Sequence, residues 1–351
     1  MAEARNRSAG QCASAGQRVT LAEKVAFLRR PDAYPDAPAH VDAVETHMSW
    51  VFLTERFAHK LKKPVRYEFL DFRSLEARRR SCHDEVRLNR RLAPKVYIAA
   101  VPLVLGDDGA LHVDGEGETV DWLVRMHRLP SERMLDRAIQ SGTASSDDLQ
   151  GVARLLADFF TNAVRVAVSP AGFRGRLAET IAQNRQELES PEFELPAVAV
   201  GMMCDTLANM LMDDAPLFDR RVRDGCVVEG HGDLRPEHVH LGAEPAVIDC
   251  LEFNRDFRIL DWADELAYLA MECERLGSPD AGTEILETCC RELDDGPPPA
   301  LIDFYKAHRA LLRARLAILH LRDEDIRDPE KWRPRTMEYL KLAERYAARL
   351  R

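Results

Sequence analysis

The chain has 351 residues, with 59 acidic against 49 basic side chains and a formal net charge of −10. That length supports one large or two medium domains, and the acidic balance argues against nucleic acid, whose phosphates need a basic footprint. No apolar run reaches the ~20 residues of a membrane span, and the longest, Val96 to Leu105, is about half that and contains Pro102.

Residues 1–20 are small and polar, with no apolar stretch of the kind a secretory leader needs, and read as a flexible tail. Eight cysteines without a CxxC pair are expected as reduced thiols in a cytoplasm. Leu21 to Arg30 reads as a short helix stopped by Pro31. From Asp42 to Val65 the Val, Phe, Thr and Trp content is strand-like, with a turn near Thr54-Glu55-Arg56. Ser74 is placed to cap a helix that runs to Leu92 ahead of Pro94. Further strands extend to "DWLVRMHRL", with turns in "GDDGALHVDGEGE".

Beyond Pro130 the pattern becomes helical. Leu149, Val152, Leu155, Leu156, Phe159 and Phe160 fall on one helix face, entered through Ser145 with Asp148 three residues on. Helices are expected near 173–189 and 199–212, a strand-rich island over 226–253, and helices again to the C-terminus, broken by "DDGPPPA" at 294–300. The sequence thus divides into a strand-rich N-terminal lobe, 21–127, and a mainly helical C-terminal lobe, 128–351. This is an α+β, bilobal organisation suited to a cleft between lobes.

The island contains "EGHGDLRPEHVHL" at 229–241, followed by "AVIDCLEFN". Asp233 and Asp249 are expected at the ends of adjacent short strands. One carboxylate there can orient a nucleophilic hydroxyl while the other holds a metal ion, the division that phosphoryl transfer needs.

"HGDLRPEH" resembles the HRDLKPEN catalytic loop of protein kinases, and more closely the HGDLxxxN loop of the aminoglycoside phosphotransferase family. "VIDCLEFN" resembles that family's segment in place of the kinase DFG. With "ETHMSWVFL", "KLKKPV", "FLDF" and "RLNRRLAP" in order, the resemblance spans roughly residues 40 to 350. It implies a protein-kinase-like fold and an ATP- or GTP-dependent phosphotransferase using Mg²⁺ or Mn²⁺. Its partners would be a nucleotide and a small hydroxylated acceptor, with no nucleic acid and no membrane. Asp233 would then accept the acceptor's hydroxyl proton, Arg235 would neutralise the transferring phosphate, and Asp249 would hold the metal. His231 would pin the loop. His238 stands where the family has Asn, and its ring nitrogen suits Mn²⁺ better than Mg²⁺.

In the N-terminal lobe, strand alternation over Phe57–Lys62 puts Ala58, Lys60 and Lys62 on one face. "FAHK" resembles the kinase V-A-I-K, which makes Ala58 the roof over the base and Lys60 the phosphate ligand. Glu85 shares a helix face with Cys82, Leu88 and Leu92, where an unpaired carboxylate is costly, and Lys60 is its expected partner. The segment Glu45–Trp50, where kinases carry a glycine-rich loop, has no glycine, leaving the Thr46 and Ser49 hydroxyls as its phosphate donors. Backbone groups near Val124 to Met126 are expected to meet the adenine. "DWADELAYL" resembles the family helix whose acid braces the catalytic loop, which aligns Glu265 with that role.

Two other functions fit parts of the pattern. The glycine-free loop and His238 suit a catalytically weak or inactive kinase-like nucleotide-binding regulator. His231, Asp233, His238 and His240 suit a metal hydrolase, though at no recognised ligand spacing.

Overall fold

A computed structural model describes residues 19–67, 70–322 and 328–350. The tail expected over 1–20 lies outside them except for Val19 and Thr20. Packing divides the chain into two compact units, one ending at Arg128 and one beginning at Leu129.

The first unit opens with α1 (Leu21–Leu28), started by a capping box in which Thr20 and Glu23 satisfy each other's backbone N–H. Then come β1 (Asp42–Glu45), β2 (Ser49–Leu53), β3 (Phe57–Lys62), the two-residue β4 (Arg66–Tyr67) and β5 (Leu70–Asp71), α2 (Leu75–Asn89), β6 (Tyr97–Leu105), β7 (Leu111–Val113) and β8 (Glu118–His127). Six strands form an antiparallel sheet in the order β1-β2-β3-β8-β6-β7. Alternation sends Phe52, Leu61, Val101 and Leu123 to a core they share with Val25 and Leu28 of α1. Each such side chain, when fully buried, stabilises the unit by ~1.5–3 kcal/mol. Ser74 caps α2 as expected, accepting the Ala77 N–H at 3.1 Å. Asp121 of β8, 1% exposed, accepts from Lys24 of α1 at 2.8 Å and from Arg78 of α2 at 2.7 Å. One buried carboxylate therefore ties α1 and α2 to the sheet.

The second unit is mostly helical: α3 (Leu135–Ser141), α4 (Ser146–Asn162), α5 (Pro170–Leu188), α6 (Ala197–Asp213) and α7 (Ala215–Arg223), then, after the strand island, α8 (Trp262–Arg275), α9 (Pro279–Glu292), α10 (Pro299–Leu319) and α11 (Trp332–Ala348). Ser145 caps α4 through the Asp148 N–H at 3.2 Å. Among the described residues no helix is long and apolar enough to cross a membrane.

The island holds β9 (Val227–Glu229), β10 (Val239–His240), β11 (Ala246–Val247) and β12 (Ile259–Asp261). Its pairing corrects the sequence expectation. β9 pairs with β12, and β10 with β11, so Asp233 and Asp249 do not end adjacent strands of one ladder. Strands of two or three residues carry too few side chains to fix a partner by pattern.

Candidate active site

Without a shared ladder, the two acidic segments are joined by individual bonds. The Leu251 N–H donates to the His231 carbonyl at 3.2 Å, and the Ile248 N–H to the His238 carbonyl at 2.9 Å. His231 is 1% exposed, and its Nε2 donates to the Ile248 carbonyl at 2.9 Å while Nδ1 accepts from the Asp233 N–H at 3.2 Å. Burial pushes its pKa down to about 3, so the ring is neutral and serves as the predicted pin. Arg258, 3% exposed, adds a clamp by donating to the Leu251 carbonyl at 2.6 Å and to Glu229 at 2.8 Å.

The loop's own N–H groups are held from α8. Glu265, fully buried, accepts the His231 N–H at 2.8 Å and also the Gly232 N–H. Burial raises its pKa to about 7 against the pull of those two donors. Two converging N–H groups favour a carboxylate, and desolvation favours the acid. Gly230 is required here because a Cβ would collide with the Glu265 carboxylate, and Gly232 because its φ is +90°.

Asp233 thus projects from a fixed backbone. Its carboxylate lies 3.0 Å from Arg235 Nε and accepts the Tyr268 hydroxyl at 3.0 Å. Burial pushes its pKa up, but Arg235, His238 and Arg313 outweigh that and hold it at about 2. Arg235 also donates to Glu237 at 2.5 Å and to His238 Nε2 at 3.1 Å. His238 Nδ1 donates to the Asp233 carbonyl at 2.9 Å. These partners assign the Nδ1–H tautomer to His238.

Asp249 has φ +62°, a left-handed conformation that costs a non-glycine residue of order 1–3 kcal/mol and that Asp tolerates better than most. Its side chain is 45% exposed, and Oδ2 lies 3.6 Å from His238 Nε2. A hard, accessible carboxylate oxygen fits a divalent cation. His238 fits less well, because its only lone pair already accepts from Arg235. Among the described residues no group of three or more His, Cys, Asp or Glu could hold a metal ion by itself. His231 has both ring nitrogens committed to the loop, so it offers a metal no lone pair.

In the first unit, Glu85 receives Lys60 at 2.9 Å and Lys62 at 2.5 Å. Lys62 is buried at 1% side-chain exposure, whereas Lys60 keeps 16%. Lys63 faces away and meets Glu45 at 2.5 Å. Ala58 lies directly across from Met126 in the β3–β8 register, so both share the face that carries Lys60. The backbone groups expected near Val124 to Met126 lie on β8, a central strand between β3 and β6, opposite a register shift between Tyr97 and Ala99 of β6. Thr46 and Ser49 close a tight turn between β1 and β2. The Thr46 hydroxyl donates to the Ser49 carbonyl and accepts its N–H, both at 3.0 Å, and Ser49 is 2% exposed.

Tyr268 and Arg313 were not singled out from the sequence. On α8, Asp264, Glu265, Tyr268 and Glu272 recur at helical spacing, and on α10 so do Arg309 and Arg313. Two polar stripes of opposite charge on otherwise buried helices could have pointed to them.

No protein-family model matches the chain. Among solved structures, a choline/ethanolamine kinase family protein from Mesorhizobium loti is similar with a TM-score of 0.53 at 14% identity, covering 93% of this chain and 98% of that one. The aminoglycoside phosphotransferase APH(4)-Ia, in thermostable mutant form, gives a TM-score of 0.47 at 13% identity over 86% of this chain and 94% of that one. The chain therefore has the bilobal, protein-kinase-like α+β fold that its motifs predict. In sequence, uncharacterised proteins of Mycobacterium tuberculosis and Mycobacterium bovis are each 34% identical over 291 residues, 81% of this chain. The match covers 56% of those proteins, so the chain spans about half the length of the curated relatives it matches.

Proposed function

We propose that this chain is a nucleotide-dependent phosphotransferase acting on a hydroxyl of a small molecule. The observation that carries the reading is Asp233, exposed enough to meet a substrate yet fixed by Tyr268, Arg235 and a braced backbone. A carboxylate held at about pKa 2 is a weak base, so Asp233 orients the attacking hydroxyl and receives its proton late, as phosphate transfer proceeds. Arg235 sits where it can offset charge on the transferring group, at the cost of loosening its bonds to Glu237 and His238. Lys60, paired with Glu85, binds the nucleotide phosphates, and Ala58 and Met126 offer a small apolar face to the base. Asp249 would hold the Mg²⁺ or Mn²⁺ ion, which when bound neutralises phosphate charge. The fold of choline/ethanolamine and aminoglycoside kinases supports this reading. The testing experiment incubates the chain with γ-labelled ATP and a panel of hydroxylated metabolites, and scores labelled product. Nucleotide binding with no transfer to any acceptor would favour the regulator instead, a reading supported by the self-bonded Thr46–Ser49 turn.

A further inference from the structure

Helix α10, packed against α8, carries an arginine with no role in the scheme above. Arg309 of α10 grips Asp264 with two bonds, 2.7 and 2.6 Å, and its guanidinium lies 5.1 Å from the Tyr268 ring centre. Arg313 follows one turn later, at the level of Glu272, which itself lies one turn beyond Tyr268. Its Nε approaches the Tyr339 hydroxyl at 3.4 Å and Glu272 at 3.5 Å. Glu272 is already satisfied by Arg275 at 2.6 Å and Tyr339 at 2.8 Å. The Arg313 guanidinium also lies 5.7 Å from the Tyr339 ring centre, but among the described residues its two terminal amino groups donate no hydrogen bond, and the side chain keeps 23% exposure. Tyr268, one turn before Glu272 on α8, links this neighbourhood to Asp233 through its hydroxyl at 3.0 Å, in keeping with the pull of Arg313 on the Asp233 carboxylate.

A partly buried guanidinium with an open fork is the group that binds carboxylate or phosphate bidentately. Three acids around the loop and α8 are, by contrast, already paired: Asp261 with Arg221, Asp264 with Arg309, and Glu237 with Arg235.

We propose that Arg313 forms an oxyanion subsite beside Asp233, and that the acceptor is therefore a hydroxylated acid carrying a carboxylate or phosphate. The proposal rests on the phosphotransferase reading for the word acceptor, but the subsite can be tested by binding alone. Calorimetric titration of the whole chain without nucleotide would compare four probes of one pyranose skeleton: D-glucuronate, glucose 6-phosphate, glucose and glucosamine. The expected result is that glucuronate or glucose 6-phosphate binds about tenfold or more tightly than glucose, and that Arg313→Gln removes the gain. Which acid gains tells carboxylate from phosphate. Arg313→Lys, which keeps the charge without the fork, should retain only part of the gain, and this holds the test open if the glutamine variant folds poorly. Lys63→Ala, which lies outside the proposed subsite, should leave the gain intact. The proposal is overturned if neither acid outbinds glucose, if glucosamine binds best, or if the gain survives Arg313→Gln or is lost in Lys63→Ala. Binding of an acid through Arg313 without phosphate transfer to it would keep the subsite and discard the phosphotransferase.

Discussion

Tyr268 donates its hydroxyl to Asp233 at 3.0 Å from the same helix, one turn on, that holds the Asp233 loop through Glu265. Backbone and side chain of the candidate base are therefore set by a single rigid element. Tyr268→Phe removes one charge-assisted bond while leaving packing intact. Transfer should slow by about tenfold, the kinetic equivalent of ~1.4 kcal/mol, with nucleotide affinity unchanged in calorimetry. A loss of nucleotide binding with an unaltered rate would place Tyr268 elsewhere in the mechanism.

Glu265 gives a pH signature. Its folded pKa, about 7, lies above its ordinary 4.5. The folded state therefore binds the extra proton, and the stability this group contributes is full below about 4.5 and lost as pH rises through about 7. Glu265→Gln should flatten the melting temperature over that window. It should also lower stability throughout, by ~1–3 kcal/mol, because an amide presents an N–H to one of two backbone donors. Melting curves from pH 4 to 8 read both effects, and an unchanged slope would show that Glu265 does not titrate there.

The two lysines on Glu85 should separate. Lys62 is enclosed, so Lys62→Ala breaks a buried pair and should destabilise the fold, by ~3–5 kcal/mol at most since Lys60 remains. Lys60 is more accessible, so Lys60→Ala should weaken nucleotide binding with little change in melting temperature. Lys63→Ala should affect neither. Thermal melts paired with nucleotide titrations check the ranking, and a binding loss confined to Lys63 would move the phosphate ligand to the other face of β3.

His238 should shift metal preference. Its lone pair is held by Arg235, so it ligates a metal only when that bond loosens, and an imidazole nitrogen then suits Mn²⁺ better than Mg²⁺. Mn²⁺ should support nucleotide binding at least as well as Mg²⁺, and His238→Asn should raise the Mg²⁺-supported affinity. If wild type prefers Mg²⁺ and the variant matches it, position 238 plays no part in metal binding.

Much of this was legible in the sequence where local chemistry sets the outcome. Ser74 and Ser145 start their helices because each can accept an N–H three residues on, and the Lys60–Glu85 pair follows from a carboxylate on an apolar stripe. The misses are long-range. Nothing in "CVVE" tells β9 to choose β12 over β10, and no strand pattern reveals that β8 lies inside the sheet. Tyr268 reaches Asp233 from 35 residues away in the chain, and Arg313 pairs with Glu272 one turn beyond it, through helix packing that motif spacing does not encode.

The central claim is that Asp233 orients a hydroxyl for phosphoryl transfer. Its most direct test is the rate of label transfer from γ-labelled ATP by Asp233→Asn, measured beside nucleotide affinity on an acceptor that wild type phosphorylates. The account predicts a loss of about 10²- to 10⁴-fold in rate with nucleotide affinity nearly unchanged. Turnover close to wild type in Asp233→Asn would contradict it.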